Sequence, residues 1–213
     1  MSLLISIEGF DGVGKSTQAK LLKKNLESMN INSVCVREPG GTELAEKIRD
    51  ELSKNIDLGS ITELLLFEAA RADLVEKVIK PKLSDGVIVI TDRYIDSTLA
   101  YQGFGRGIEL SKIIDLNELS SLGVIPDITF LLDTDIKLAL ERAKIRNNTT
   151  SESQINKFEE EAFDFHQRVR DGFLQIASKN PERIIILNST SSISELSENI
   201  LNIVKEKLAL NNK

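Results

Sequence analysis

Gly9-Phe10-Asp11-Gly12-Val13-Gly14-Lys15-Ser16 decides how the rest of the chain is read. It satisfies the phosphate-binding pattern G-x-x-x-x-G-K-[ST] at every required position. Leu3-Leu4-Ile5-Ser6-Ile7 precedes it as an apolar run of strand type, and a helical pattern with Ala19, Leu22, Leu26 and Met29 on one face follows it. The motif requires this context, a strand that delivers a glycine-rich turn into a helix N-terminus. Backbone N–H groups then converge on phosphate oxygens, and the helix dipole adds partial positive charge. Lys15 is positioned for the β- and γ-phosphates and the Ser16 hydroxyl for Mg²⁺. Gly9 to Thr17 is the expected nucleoside-triphosphate site.

Outward from this turn, apolar strand runs alternate with helical patterns. Ser33-Val34-Cys35-Val36-Arg37 reads as a second strand, closed by the turn Glu38-Pro39-Gly40-Gly41. Thr42 is placed to cap a helix with Leu44, Ile48 and Leu52 on one side, and a long helix is expected over about 60–83. Val87 to Asp92 and Ile128 to Asp133 are nearly unbroken apolar runs, the pattern of strands buried on both faces. Helices are expected over about 96–104, 110–122 and 155–178, and from Ile136 until that pattern dissolves at Arg146. Arg183 to Leu187 is the last strand, and Ser192 with Glu195 opens a final helix bearing Leu196, Ile200, Ile203 and Leu208. Five such strands predict an α/β fold, a parallel sheet flanked by helices in three layers, in one domain over 1–213. The site belongs at the carboxyl ends of the strands.

A net charge of −6 argues against a general nucleic-acid binder, which carries a basic face. No apolar run approaches the roughly 18 residues of a membrane span. No basic, apolar leader pattern is read at the N-terminus, and the single cysteine, Cys35, reads as a small core residue. The expected compartment is the cytoplasm.

Asp92 closes a buried strand where a P-loop enzyme holds its Mg²⁺ carboxylate, and Arg93 beside it could grip a second phosphate. Phe67 and Arg71 share a helical face, as do Thr98 and Gln102, and Ser97 and Tyr101. A ring, an arginine and an amide facing one cavity suit a flat, hydrogen-bonding base. A switch GTPase should carry Asn-Lys-x-Asp after a late strand and Asp-x-x-Gly after the metal strand. This chain has Asn156-Lys157-Phe158-Glu159 and Asp92-Arg93-Tyr94-Ile95 instead. A motor or partition ATPase leaves Arg93 and Gln102 without a purpose. Small-molecule phosphoryl transfer remains.

Arg37-Glu38-Pro39-Gly40-Gly41-Thr42, Phe67-Glu68-Ala69-Ala70-Arg71, Asp92-Arg93-Tyr94 and Ser97-Thr98-Leu99-Ala100-Tyr101-Gln102-Gly103 together resemble bacterial thymidylate kinase, over nearly the whole chain. The resemblance implies the nucleoside-monophosphate kinase fold with a five-stranded parallel sheet, transfer from ATP to dTMP with Mg²⁺, and a homodimer. It implies that Phe67 stacks on thymine while Arg71 and Gln102 bond its polar edge, with Thr98 and Ser97 closing the pocket. Arg93, with Arg37 and Arg49 nearby, would hold the acceptor phosphate, and Glu38 and Pro39 would line it. Asp11 would approach the sugar 3′-hydroxyl, and Tyr101 would crowd a 2′-hydroxyl.

Some members of the family carry an arginine in the P-loop where this chain has Gly12, and chains like this one resemble those that supply cations from a lid. Arg142, Lys144, Arg146 and Lys157 make the expected lid, about 142–158, locally basic, with Arg142 and Arg146 the expected catalytic pair. Asn156-Lys157-Phe158-Glu159 departs from the family's usual Asp-Arg-[Phe/Ile]-Glu. His166 among Phe163, Phe165 and Arg168 reads as structural. Two other readings stay open: another monophosphate kinase, for dUMP or CMP, and a P-loop switch acting on a protein partner.

Overall fold

The structure is a computed structural model that describes residues 2–54, 58–147 and 161–210, with only the backbone at 146–147 and 210. Strands β1 (Leu4–Gly9), β2 (Ser33–Arg37), β3 (Ile88–Asp92), β4 (Ile128–Asp133) and β5 (Ile184–Asn188) form one sheet in the order β2-β3-β1-β4-β5. Every pairing is parallel. β1 lies between β3 and β4 and is buried along its whole length, which explains its lack of polar alternation. The order reverses at β1, so the turn leaving it lies in the crevice at the sheet's carboxyl edge.

Helices α1 (Lys15–Ser28), α2 (Glu43–Ser53), α3 (Ser60–Leu74), α4 (Lys80–Ser84), α5 (Ile95–Thr98), α6 (Leu110–Ser121), α7 (Ile136–Asn147), α8 (Phe163–Lys179) and α9 (Ile193–Leu210) cover the sheet. Leu4 and Val89 pack with Leu74, Val75, Ile79 and Tyr94. Leu3, Ile5, Ile7, Ile88 and Ile90 belong to the larger core with Leu22 and Leu26 of α1 and Leu196, Ile200 and Val204 of α9. Thr42 caps α2 by accepting from Ala45 N at 3.1 Å, and Ser192 Oγ accepts from Glu195 N at 3.2 Å. None of the described helices is long and apolar enough to cross a membrane.

The structure departs from the expected pattern in four places. Met29 and Leu44, expected on buried faces, are exposed, while Ala45 takes the buried position on α2. The long helix widens into a π-helical turn at Val75–Ile79 between α3 and α4. The expected helix over 96–104 is α5 followed by a π-helical stretch, Leu99–Gly105, with Arg106 N bonding Tyr101 O at 2.9 Å. Close packing accounts for that register: a Cβ on Gly172 of α8 would stand 2.6 Å from the Phe104 ring. Finally, α7 continues through Arg146 to Asn147. Of the polar loop expected over 146–153, residues 148–153 lie outside the described residues, as do the motif at 156–159 and the start of the helix expected from 155.

Candidate active site at the carboxyl edge of the sheet

The turn after β1 wraps tightly. Gly12 has φ +83°, and a Cβ there would stand 2.0 Å from Ala139 O of α7. Helix α7 therefore rests directly on the phosphate loop. Lys15 is buried and donates to Phe10 O at 2.7 Å, with Asp11 Oδ1 at 3.8 Å. Burial, reinforced by repulsion from Arg93, lowers its ammonium to about 8. The Ser16 hydroxyl donates to Asp92 Oδ2, and Ser16 and Thr17 are exposed at the start of α1.

Arg93 is the hub. Its backbone is left-handed at φ 72°, an uncommon conformation for a side chain of this size. From there Nη1 donates to Gly9 O (3.1 Å) and Ser97 Oγ (3.0 Å). Nη2 donates to Asp11 Oδ1 (2.6 Å) and the Tyr101 hydroxyl (3.1 Å), and that hydroxyl donates to Asp11 Oδ2 at 3.2 Å. Burial opposes the charge of Arg93, but Tyr101, Asp11, Asp92 and Glu8 outweigh it and keep the group firmly cationic. Glu8 lies beneath this hub, fully buried. It accepts from Tyr94 N (2.7 Å) and Ser97 Oγ (2.6 Å), and burial together with the Asp96 carboxylate raises its pKa.

The second half of the site is built where α3 faces the 97–102 segment. Glu63, Phe67 and Arg71 follow one another at four-residue spacing along α3. Arg71 is buried, and all three of its guanidinium nitrogens are engaged. Nε and Nη2 reach Glu38 Oε2, at 2.9 and 2.8 Å. Nη1 reaches Glu68 and Asn117, and Nη2 also reaches Thr98 Oγ1 at 2.9 Å. Burial pushes Glu38 up to about 7 against the pull of Arg71, and its Oε1 is buried without a partner among the described residues. At the other end of the same face, Gln102 Nε2 donates to Glu63 Oε1 at 3.0 Å. Half-buried Phe67 lies between these two anchor points on α3.

The flanking cations are held differently. Arg49 donates to Pro39 O at 3.0 Å, and burial and repulsion from Arg37 lower its pKa. Arg37 is exposed and pairs with Glu46 at 2.8 Å. Arg142 does not point into the hub: its Nη1 donates to Ser189 O, in the turn after β5, at 3.0 Å. Lys144 is exposed, and Lys157 and the side chain of Arg146 lie outside the described residues. His166 is buried edge-on to the Phe10 ring at 4.8 Å.

Glu8, Glu63, Glu68, Arg106 and Asn117 were not singled out by sequence reasoning. Two of them left a signal. A carboxylate inside an apolar strand, as Glu8 is, needs buried donors. Glu63 stands four residues before Phe67 and so shares its face. Among the described residues no cluster of three or more His, Cys, Asp or Glu could hold a metal. The touching oxygens of Ser16 and Asp92 nevertheless suit Mg²⁺, which takes one or two carboxylates and completes its octahedron with phosphate oxygens and water.

Residues 7–200 match the family model described as Thymidylate kinase. The chain is 46% identical over 212 residues to the thymidylate kinase of Dehalococcoides mccartyi, covering 99% of each chain. It is 44% identical over 203 residues to that of Pelobacter propionicus, covering 94% of this chain and 93% of the relative. The crystal structure of thymidylate kinase from Ehrlichia chaffeensis superposes with a TM-score of 0.79 at 40% identity, covering 95% of this chain and 98% of that one.

Proposed function

The chain belongs to the thymidylate kinase family and phosphorylates dTMP to dTDP with ATP as donor, and we propose that its residues divide that work around Arg93 with Mg²⁺ as the metal. The supporting observation is the position of Arg93, bonded at once to the phosphate loop (Gly9 O, Asp11) and to the segment bearing Ser97 and Tyr101. A cation held there can touch the acceptor phosphate while it is tied to the donor loop. The phosphate of dTMP is already largely dianionic at neutral pH, with a second pKa near ~6, so no general base is needed. Catalysis is alignment of two anions and dispersal of charge on the transferring group.

Lys15 gives up the Phe10 carbonyl to bind the β- and γ-phosphates. Ser16 and Asp92 would hold Mg²⁺, which would neutralise donor phosphate charge. Asp11 accepts from the sugar 3′-hydroxyl, and Tyr101 crowds any 2′-hydroxyl. Phe67 stacks on thymine, Thr98 and Gln102 meet its polar edge, and Arg71 holds the pocket wall. Arg37, Arg49, Glu38 and Pro39 line the acceptor entrance. A lid over about 142–158 closes on the phosphates and excludes water, within a single domain.

The active unit is a homodimer. Ile61 and Leu65 stand four apart on α3 at 58% and 50% exposure, and Leu44 of α2 and Ile114 of α6 are also exposed on the helices that pack against α3. A net charge of −6 suits a cytoplasmic enzyme of small nucleotides rather than of nucleic acid or membrane. ADP formation measured with dTMP, dUMP, dCMP and CMP in turn tests the substrate. Strong stimulation by dTMP alone is expected, and equal stimulation by CMP would overturn the pocket.

A further inference from the structure

We infer that Glu63 is the specificity-positioning residue of the base pocket: it turns the Gln102 amide so that its oxygen faces the base and selects an N3–H donor. Glu63 is buried, and its two oxygens accept from Arg106 Nε (Oε1, 3.1 Å) and Nη2 (Oε2, 3.1 Å) in a fork. A carboxylate engaged this way can only accept. Gln102 meets Oε1 at 3.0 Å, so the end it presents must be Nε2, since Oε1 there would set two acceptors against each other. The amide is planar, and once Nε2 is committed, its Oε1 is the end left over. Among the described residues nothing donates to that oxygen.

The chemistry that follows is specific. Thymine and uracil carry a proton on N3, and an amide oxygen accepts it. Cytosine has a lone pair at N3, which would face a second lone pair. Freed to flip, a glutamine would serve both bases, but Glu63 prevents the flip. Arg106 keeps Glu63 an acceptor and is itself held on its far side by Glu161 and lies over the Phe165 ring at 4.7 Å. Glu63 touches no substrate and acts through Gln102.

This inference rests on the placement of Gln102 at the base, and the test separates the two. KM of dTMP and Ki of dCMP against dTMP are measured for the unaltered enzyme, Glu63→Gln, Glu63→Asp and Gln102→Leu, with KM of ATP as control. In Glu63→Gln the ratio of dCMP Ki to dTMP KM should fall by about tenfold or more, because buried polar complementarity is the strongest discriminator available. Glu63→Asp, still an acceptor, should keep the ratio within about threefold, and the preference for dTMP over dUMP and KM of ATP should not move in either variant. If Gln102→Leu raises KM of dTMP while Glu63→Gln leaves the ratio unchanged, the inference is overturned and the pocket stands. If Gln102→Leu leaves KM of dTMP unchanged, the pocket reading fails and takes the inference with it. Should Glu63→Gln not fold, Glu63→Gln with Arg106→Met removes the cation left without its carboxylate and carries the same test.

Discussion

Gly12 and Ala139 are in backbone contact: a Cβ on Gly12 would stand 2.0 Å from Ala139 O and 3.1 Å from Ala143 N. The phosphate loop and the helix that carries Arg142 and Arg146 therefore form one packed unit. The glycine leaves the loop without an arginine, and it allows the close approach of the helix that carries Arg142 and Arg146.

Gly12→Ala should consequently cost both stability and rate. The left-handed φ of +83° and the clash with a main-chain carbonyl together imply a loss of about 1–3 kcal/mol. Because α7 must shift, kcat should drop as well. Thermal unfolding and steady-state kinetics check this, and an alanine variant with unchanged Tm and kcat would contradict the contact.

Lys15 gives a pH dependence. Its pKa is lowered to about 8, so the nucleotide-free enzyme loses this charge as pH rises through about 8. A buried cation whose proton is held less tightly in the folded state makes the fold more stable with rising pH, from about 8 up to the ordinary lysine range. ATP binding moves the opposite way: its Kd should rise by up to about tenfold per pH unit above that point. Lys15→Ala should bind ATP weakly with no such slope and lose more than about tenfold in kcat, a barrier change above ~1.4 kcal/mol. Calorimetric titration across pH 7 to 9.5 reads the slope, and a flat profile in the unaltered enzyme would remove Lys15 from the phosphates.

Arg71 has become a stability prediction as well as a binding one. The family resemblance makes it a base-edge donor, yet its three guanidinium nitrogens are engaged by Glu38, Glu68, Asn117 and Thr98. Arg71→Ala leaves two buried carboxylates without their cation, which costs about 3–5 kcal/mol. Tm should fall sharply and KM of dTMP should rise more than KM of ATP. Retention of the original Tm would mean that the network is dispensable.

The sheet was legible because its signals are local: five apolar runs separated by turn and helix patterns, with Asp92 and Asp133 marking carboxyl ends that do end strands. The hub was half legible. Arg93, Asp11, Ser97 and Tyr101 could be named, but the left-handed backbone that aims Arg93 leaves no mark in composition. The buried acids were harder. Glu68 looks like an ordinary solvated position on a helix, Glu63 is marked only by its spacing from Phe67, and only the pairing of α3 with the 97–106 segment and α6 buries them. Helical period also assumes a regular helix. The π-helical stretch at Leu99–Gly105 arises from contacts with α8, far along the chain, which no local pattern records.

The dimer is testable directly. Ile61 and Leu65 would be an unusual pair to leave in water on a helix whose inward stripe is already supplied by Leu64, Ala70 and Leu74. Light scattering at micromolar concentration should give twice the 23.7 kDa chain mass. Ile61→Glu with Leu65→Glu should shift the particle toward monomer, and a monomeric unaltered protein would end the proposal.

The two lid arginines should separate by kinetic parameter. Arg142 and Arg146 lie one turn apart on α7. The Arg142 guanidinium is already committed to Ser189 O, where it ties α7 to the turn after β5. Its loss should loosen the donor side of the site and act chiefly on KM of ATP, with kcat within about tenfold, the pattern of an interaction shared by ground and transition states. Arg146 stands one turn further along α7, and if it meets the transferring phosphoryl group, the charge there develops only during transfer. Arg146→Ala should therefore lower kcat with KM of ATP little changed. An arginine supplied to other P-loop enzymes contributes about 10³–10⁵ in rate, and the lower end or less is expected here because Lys15 and Mg²⁺ remain. Reversed effects would exchange the two roles. If both variants keep near-normal kcat, the lid assignment fails, and since Gly12 leaves no room for a side chain, the cation must come from outside 142–158.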